Sequence, residues 1–502
     1  MSPVQNRPMK NYYFALALAL ALLVNPGLIC ADDSGGSTES PTSGKPNILF
    51  IFADDLSFDS VGCYGNAEVS TPSIDRIAAS GATFDRAYNM GGWNGAICLA
   101  SRAMLNTGRS LWRAQELDQV LREHRRNETK YEGRLWSQQM EDAGYSTFFT
   151  GKWHVSAQPV DVFNNVRNPR GGMPNQTPEG YDRPHEGQED VWSPSDPKFE
   201  GFWKGGTHWS EVVFTDADTF IANAKSSDDP FFMYIAFNAP HDPRQSPQEF
   251  VDMYPQENVI VPDNFMARYP YQDEIGCGEN LRDARLAPFP RTPYSVRVNR
   301  QEYYAIISHM DEQIGRILDV LEETGMDENT YVIFSADHGL ACGHHGLIGK
   351  QNMYEHSMRV PLIVSGPGIE AGQRLDAPVY LQDIMPTTLG IADAPVGDEV
   401  EFQDLLPIIN AEVDSKYESI YGAYVDLQRM IIRDNIKLIA YPKVPVLRMF
   451  DIENDPLEMN DLATNPEFAG LRDELFNELA DLQLEMGDKL DLRAAFEAVE
   501  TR

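Results

Sequence analysis

Four short polar segments carry residue types suited to hydrolysis at a charged centre. They are Asp54-Asp55, Gly151-Lys152-Trp153-His154, Pro240-His241 and Asp337-His338-Gly339. Asp54, Asp55 and Asp337 supply three carboxylates and His338 an imidazole, a set that suits a hard divalent cation. Ca²⁺ accepts many oxygen ligands and is the first choice. The imidazole leaves Mg²⁺ or a softer ion such as Mn²⁺ open, and His338 could instead hydrogen-bond a ligand. Taken alone, an acidic pair such as Asp54-Asp55 is equally a polar turn at a strand–loop junction.

A fifth segment, Cys98-Leu99-Ala100-Ser101-Arg102, continues to Leu105-Asn106-Thr107-Gly108-Arg109. It reads as a cysteine in a Gly-rich loop just before a short helix. Backbone N–H groups at a helix start favour an anion, and Arg102 adds a positive charge one turn in. The plainer reading is a buried free cysteine.

The positioning elements are legible around these segments. Apolar, β-rich runs at 47–53, 146–150, 231–237 and 331–335 precede the four polar segments. Continuous apolar runs of this length suit strands buried on both faces of a parallel sheet. Helical patterns lie between them: Thr71 caps a helix with Pro72 in its first turn, and residues 301–323 carry apolar positions at helical spacing up to Gly325. The alternation predicts an α/β fold with a mostly parallel central sheet flanked by helices. Ligands in such folds sit beyond the carboxyl ends of the strands, where the polar segments converge. Residues 157–210 and 242–299 read as long loops able to build a cleft. A smaller α+β subdomain is expected over 395–502, with short strands at 428–439 and 446–452 and an acidic helix at 468–486.

The spacing of Cys98, Ala100 and Arg102, with the trailing 105–109 segment, resembles the sulfatase signature. Asp54-Asp55, the segment at 151–154, Pro240-His241, Asp337-His338-Gly339 and Gly349-Lys350 match the same family in its order. Residues 451–456 resemble a C-terminal motif of that family. The match runs from about Pro46 to Ala463 and implies an alkaline phosphatase-like fold with a catalytic domain over 46–394.

The resemblance also implies a mechanism. Cys98 is oxidised by a formylglycine-generating maturase to formylglycine (3-oxoalanine), whose hydrate is the nucleophile. Asp54, Asp55, Asp337, His338 and residue 98 hold one Ca²⁺. Lys152 and Lys350 bind the sulfate oxygens, and Arg102 steadies residue 98. One hydroxyl of the hydrate attacks sulfur and expels the alcohol, which His241 protonates with Lys350 nearby. The second hydroxyl then loses its proton to His154, and elimination of sulfate restores the aldehyde. Two positions depart from the pattern. Ala100 stands where Pro is more common, which the family's radical-type maturing enzyme accepts and its oxygen-dependent counterpart favours less. His338 stands where many relatives have Asn.

The bulk numbers fit an exported hydrolase. The net charge is −35, a surface that repels nucleic acid and anionic lipid. Arg7 and Lys10 precede a short Ala/Leu run, and cleavage after Ala31 is expected, giving a signal peptide at 1–31 and a flexible leader at 32–45. Lipoprotein anchoring at Cys30 is the lesser alternative. No later run is long enough to span a membrane, so a periplasmic or secreted protein is expected. Cys63, Cys277 and Cys342 allow at most one disulfide.

Long loops and export point to a sulfated glycan or smaller sulfated molecule as substrate. The rivals are a phosphodiesterase or phosphonate hydrolase of the same superfold, and a catalytically silent calcium- or carbohydrate-binding relative. Three further features are ambiguous. His344-His345 could line a pocket or support a loop. Trp203, His208 and Trp209 could stack on a sugar, though local packing is the commoner use. Glu355 and Arg359 read as an internal ion pair.

Overall fold

The computed structural model describes residues 44–500 apart from 128, 130, 132 and 133, with backbone only for 498–500. The expected signal peptide, Cys30 and all but the end of the expected leader lie outside the described residues. The described residues from Lys45 onward form one compact unit.

In chain order the strands are β1 (Asn47–Ala53), β2 (Gly81–Tyr88), β3 (Gly91–Gly92), β4 (Ser146–Lys152), β5 (Asn165–Arg170), β6 (Phe231–Ala236), β7 (Thr330–Ala336), β8 (Arg359–Ser365), β9 (Gln373–Tyr380), β10 (Ile420–Tyr424), β11 (Gln428–Arg433), β12 (Ile436–Tyr441) and β13 (Val446–Asp451). Eight of them form the main sheet in the order β5-β4-β6-β1-β7-β8-β2-β9. β1 pairs in parallel with β6 and β7, and β4 with β5 and β6. β8 runs antiparallel to both of its neighbours.

The continuous apolar run of β1 follows from its central place. Successive side chains point to opposite faces. Leu49, Ile51 and Ala53 join one core under the helices Pro293–Thr324 and Trp209–Ala224. Ile48, Phe50 and Phe52 join the other core, with Leu105, Leu121, Trp136 and Ile384 from helices on the opposite face. Both faces are covered, so no polar alternation survives in the sequence. The second sheet, β13-β12-β11-β10-β3, packs on the helix Ala469–Glu485. It takes its edge strand from Gly91–Gly92, far upstream of the rest.

Several expectations are corrected. Cys98 is not in a loop before a helix but in the first turn of the helix Ile97–Thr107. The helix expected from 301 begins at Pro293, so the loop expected over 242–299 ends earlier; Thr292 and Ser295 form a reciprocal cap there. Thr71 precedes its helix without capping it, because its hydroxyl accepts from the Gly62 N–H at 2.8 Å. The single strand expected over 428–439 is a hairpin: Asp434 and Asn435 both take positive φ, 50° and 63°, and reverse the chain. β5 falls inside a stretch expected to be loop.

Candidate active site

Strand register brings the acids together. Ala53 of β1 pairs with Ala336 of β7, so Asp54 and Asp337 leave adjacent strands at one level. The Asp54 N–H donates to the Ala239 carbonyl at 3.0 Å, tying in the loop that carries His241. Asp55 takes a left-handed φ of 65°, and its N–H donates to Asp337 Oδ1 at 3.1 Å. Gly151 lets β4 end close to β6: a Cβ there would lie 1.7 Å from the Ala236 carbonyl oxygen. The next residue, Lys152, points its ammonium at Asp54 Oδ2.

Cys98 and Arg102 lie one helical turn apart, on one face of their helix. Arg102 is fully buried. Its Nε donates to Asp337 Oδ2 at 2.9 Å and its Nη1 to the Lys152 carbonyl at 2.7 Å. Cys98 Sγ sits 3.1 Å from His338 Nε2, 3.3 Å from Lys350 Nζ and 3.6 Å from Asp55 Oδ1. Burial alone would raise the thiol, but Lys152, Lys350 and His338 outweigh it and hold Cys98 well below the usual thiol range.

Ligand atoms of Asp54, Asp55, Cys98, Asp337 and His338 all lie within 4.8 Å of one another. Three observations show that this set fits a divalent cation. Asp54 Oδ1 is buried and has no hydrogen-bond partner. His338 Nδ1 donates to the Gly339 carbonyl at 2.9 Å, so Nε2 is the nitrogen that faces Asp55 Oδ1, at 3.1 Å, and a proton or a cation must stand between the two. Burial pushes Asp54 well above the ordinary carboxylate range; Lys152 opposes this, while Asp337, Cys98 and Asp55 add to it. Asp55 is also buried, yet His241 and Lys350 hold it far below that range.

A cavity of about 350 Å³ opens on this cluster, and Cys98, His154, His241 and Lys350 line it. Lys350 Nζ lies 2.8 Å from both Asp55 oxygens and 3.1 Å from His241 Nε2. His241 Nδ1 donates to the Asp242 carbonyl at 2.8 Å, which turns Nε2 toward Lys350 and Asp55. His154 takes a φ of 52°, and a Cβ on Gly172 would lie 3.0 Å from its ring. Lys152 and Arg102 are not in the cavity wall; they stand behind it, facing the carboxylates. The expected site residues therefore lie in one cluster, but Lys152, expected to bind the sulfate oxygens, faces Asp54 instead and does not line the cavity.

The sequence reading missed Arg282, Asp283 and Gln351, which also line the cavity. Arg282 pairs with Asp242, and Gln351 Nε2 donates to Asp283 Oδ2 at 2.7 Å. Arg282 and Asp283 gave no sequence signal beyond their place in a long loop, and Gln351 none beyond its place next to Lys350. The ambiguous residues resolve toward structure. His344 bonds Asn264 at 2.9 Å, and His345 stacks 4.0 Å from Tyr354. His208 is buried against the Gln245 carbonyl at 2.9 Å. Glu355 does face Arg359, at 3.8 Å, but lies closer to Lys437, at 2.7 Å. Cys63, Cys277 and Cys342 are all free thiols.

The sequence model of the family described as Sulfatase matches residues 46–394. A second, described as N-sulphoglucosamine sulphohydrolase, C-terminal, matches 343–485. The chain is 27% identical to an ulvan-active sulfatase of Formosa agariphila, over 94% of this chain and 88% of that protein. It is 25% identical to an N-acetylglucosamine-6-O-sulfatase of Bacteroides thetaiotaomicron, over 94% and 90%. Its fold is similar to a solved structure of a protein in complex with its substrate D-glucosamine-2-N,6-O-disulfate, with a TM-score of 0.68, 22% identity and coverage of 89% and 99%. With its alkaline phosphatase-like sheet and this converging cluster of acids, bases and Cys98, the chain belongs to the sulfatase family and is a sulfuric ester hydrolase.

Proposed function

We propose that the enzyme hydrolyses a sulfate ester on a sulfated carbohydrate, using residue 98 as formylglycine and one bound Ca²⁺. The observation that carries this reading is Cys98 Sγ inside the ring of Asp54, Asp55, Asp337 and His338. Sγ stands where the oxygens of a hydrated aldehyde would lie. The hydrate supplies an oxygen nucleophile and a second hydroxyl that permits elimination, while calcium neutralises negative charge on the sulfate oxygens.

Charge counting supports the arrangement. Asp54, Asp55 and Asp337 are matched by Arg102, Lys152 and Lys350, all six buried. A divalent cation then leaves the site two charges positive. That accommodates the single charge of a sulfate monoester and one proton lost from the nucleophile. Such a pocket can focus attraction locally within a chain of net charge −35.

The chain's own residues divide the remaining work. Asp54, Asp55, Asp337 and His338 hold the ion. Arg102 steadies residue 98 from behind through Asp337, and Lys152 supports the sulfate side through Asp54. Lys350 contacts sulfate and, through its bond to His241 Nε2, forms a proton route to the departing oxygen. His154, at the cavity wall, takes the proton that releases sulfate. The carbohydrate assignment is supported by the two relatives named for ulvan and N-acetylglucosamine. We also assign residues 1–31 as an export signal, with residues 395–502 as a C-terminal subdomain. No helix among the described residues is long and apolar enough to cross a membrane.

The test begins with native protein, digested, and the mass of the peptide containing residue 98. A peptide lighter by the difference between thiol and aldehyde is expected. An unmodified thiol in active protein would overturn the nucleophile. A panel of sulfated glycans should release sulfate; turnover of an aryl sulfate alone would overturn the carbohydrate assignment.

A further inference from the structure

A second hollow, of about 460 Å³, adjoins the catalytic cavity and shares His154 and Gly172 with it. Its wall includes Arg122, Arg125 and Arg170 over Trp153, and among the described residues it contains no carboxylate. In a chain with 76 acidic and 41 basic side chains, a wall with three arginines and no carboxylate among its described residues stands out. Arg122 is partly neutralised by Asp118 at 2.7 Å. Arg170 is not paired with any described carboxylate. Its Nε is shielded from solvent and has no hydrogen-bond partner among the described residues, and its guanidinium carbon lies 3.8 Å from the centre of the Trp209 ring. Burial lowers Arg170 to about 10, which still leaves it charged at neutral pH.

The position of Arg170 is fixed relative to the reacting centre. It ends β5 directly opposite Lys152 of β4, and its carbonyl accepts from the Trp153 N–H at 3.1 Å. Neighbouring strands lie about 4.8 Å apart, so Arg170 is one strand beyond the lysine that faces Asp54. Leu99, next to Cys98, reaches the same hollow. A guanidinium with no described carboxylate partner beside a sulfate-ester site is a fork for a second anion.

We propose that this hollow is a subsite for a second anionic group, sulfate or carboxylate, on the sugar ring next to the one bearing the scissile sulfate. The inference rests on the carbohydrate reading and narrows it to a polyanionic oligosaccharide. It also gives a strongly acidic protein a local means of drawing in a chain of like charge.

Calorimetric titration tests the subsite without catalysis, using protein with Cys98 unmodified. The probes are short dextran sulfate and alginate oligosaccharides, with neutral dextran as reference. Paired Arg125→Gln and Arg170→Gln substitutions should weaken binding of at least one anionic probe about tenfold. Arg170→Lys, which keeps the charge, should retain most of it. A change below about twofold for both anionic probes, or equal binding of neutral dextran, overturns the subsite. Turnover of 4-nitrophenyl sulfate by the matured double variant should stay within about twofold of wild type, because neither arginine faces the reacting cluster; an equal loss on this small ester would also overturn it. Absence of turnover in matured wild type would instead sink the catalytic proposal and leave the binding result standing.

Discussion

Replacing Arg102 by Met should separate the structural load of the site from its chemistry. Methionine keeps an unbranched, largely apolar stem but loses the guanidinium, whose carbon lies 4.7 Å from the centre of the Phe52 ring. It removes the bonds to Asp337 at 2.9 Å and to the Lys152 carbonyl at 2.7 Å. Three buried carboxylates would then face two buried cations. Removing one partner of a buried ion pair costs about 3–5 kcal/mol, a large share of the ~5–15 kcal/mol typical of a folded domain. The variant's cluster is more negative by one charge, so a divalent cation should restore more stability to it than to wild type. Guanidinium unfolding followed by tryptophan fluorescence, in EGTA and in saturating calcium, reads both effects. A loss of about 3–5 kcal/mol in EGTA, clearly smaller in calcium, is expected. A loss below ~1 kcal/mol in EGTA, or an equal loss in both buffers, would refute the charge accounting.

Chelation of wild type should lower its melting temperature and stop turnover, with about 2.7 kcal/mol regained at calcium a hundredfold above its dissociation constant; an unchanged melting curve in EGTA would count against the site. Glu458 is pushed up to about 7 by burial, opposed by Lys437 and reinforced by Glu355. The folded state therefore binds its proton more tightly than the unfolded state, and this group's contribution to stability falls as pH rises from about 4.5 to 7, by about 3 kcal/mol. Glu458→Gln should flatten that fall in unfolding measured at pH 5 and pH 8, and an unaltered slope would contradict it. Gly151→Ala should cost more than about 4 kcal/mol, because the new Cβ meets the Ala236 carbonyl at 1.7 Å; a stable, active variant would show that the strand ends can part. Gly172→Ala, which crowds His154 at 3.0 Å, should lower turnover while shifting stability by less than about 1 kcal/mol, read by kcat and melting temperature together.

Asp54, Asp55, Asp337 and His338 were legible because each follows a strand buried on both faces. Such strands write themselves as unbroken apolar runs, and their carboxyl ends are where ligands bind. β2, β8 and β9 were not legible. They lie at or near the sheet's edge and mix charged residues such as Asp85, Arg359 and Arg374 with apolar ones. Lys350 gives no periodic signal either. It arrives on a buried loop after β7, anchored by Gln351 Oε1 accepting from its N–H at 3.0 Å; only the family resemblance pointed to it. Arg282 and Asp283 owe their place to tertiary packing of a loop, which no local pattern encodes. Asp434-Asn435 was readable in principle as a tight turn, but the apolar residues on both sides merged it into one strand.

Gly91–Gly92 joins the small sheet through pairing with Ala423 and Tyr424, a few residues before the helix that carries Cys98. Tyr424 follows Gly92 by 332 positions (424 − 92). At ribosomal rates of ~5–20 residues per second, roughly 20–60 s separate the two during synthesis. Throughout that interval the strand that anchors this segment does not yet exist. In the finished protein Cys98 is 1% exposed. The topology thus sets a clock for the proposed function: if residue 98 is converted to formylglycine, the enzyme that converts it would have the window before β10 emerges and docks, and slower translation of the region between would lengthen that window.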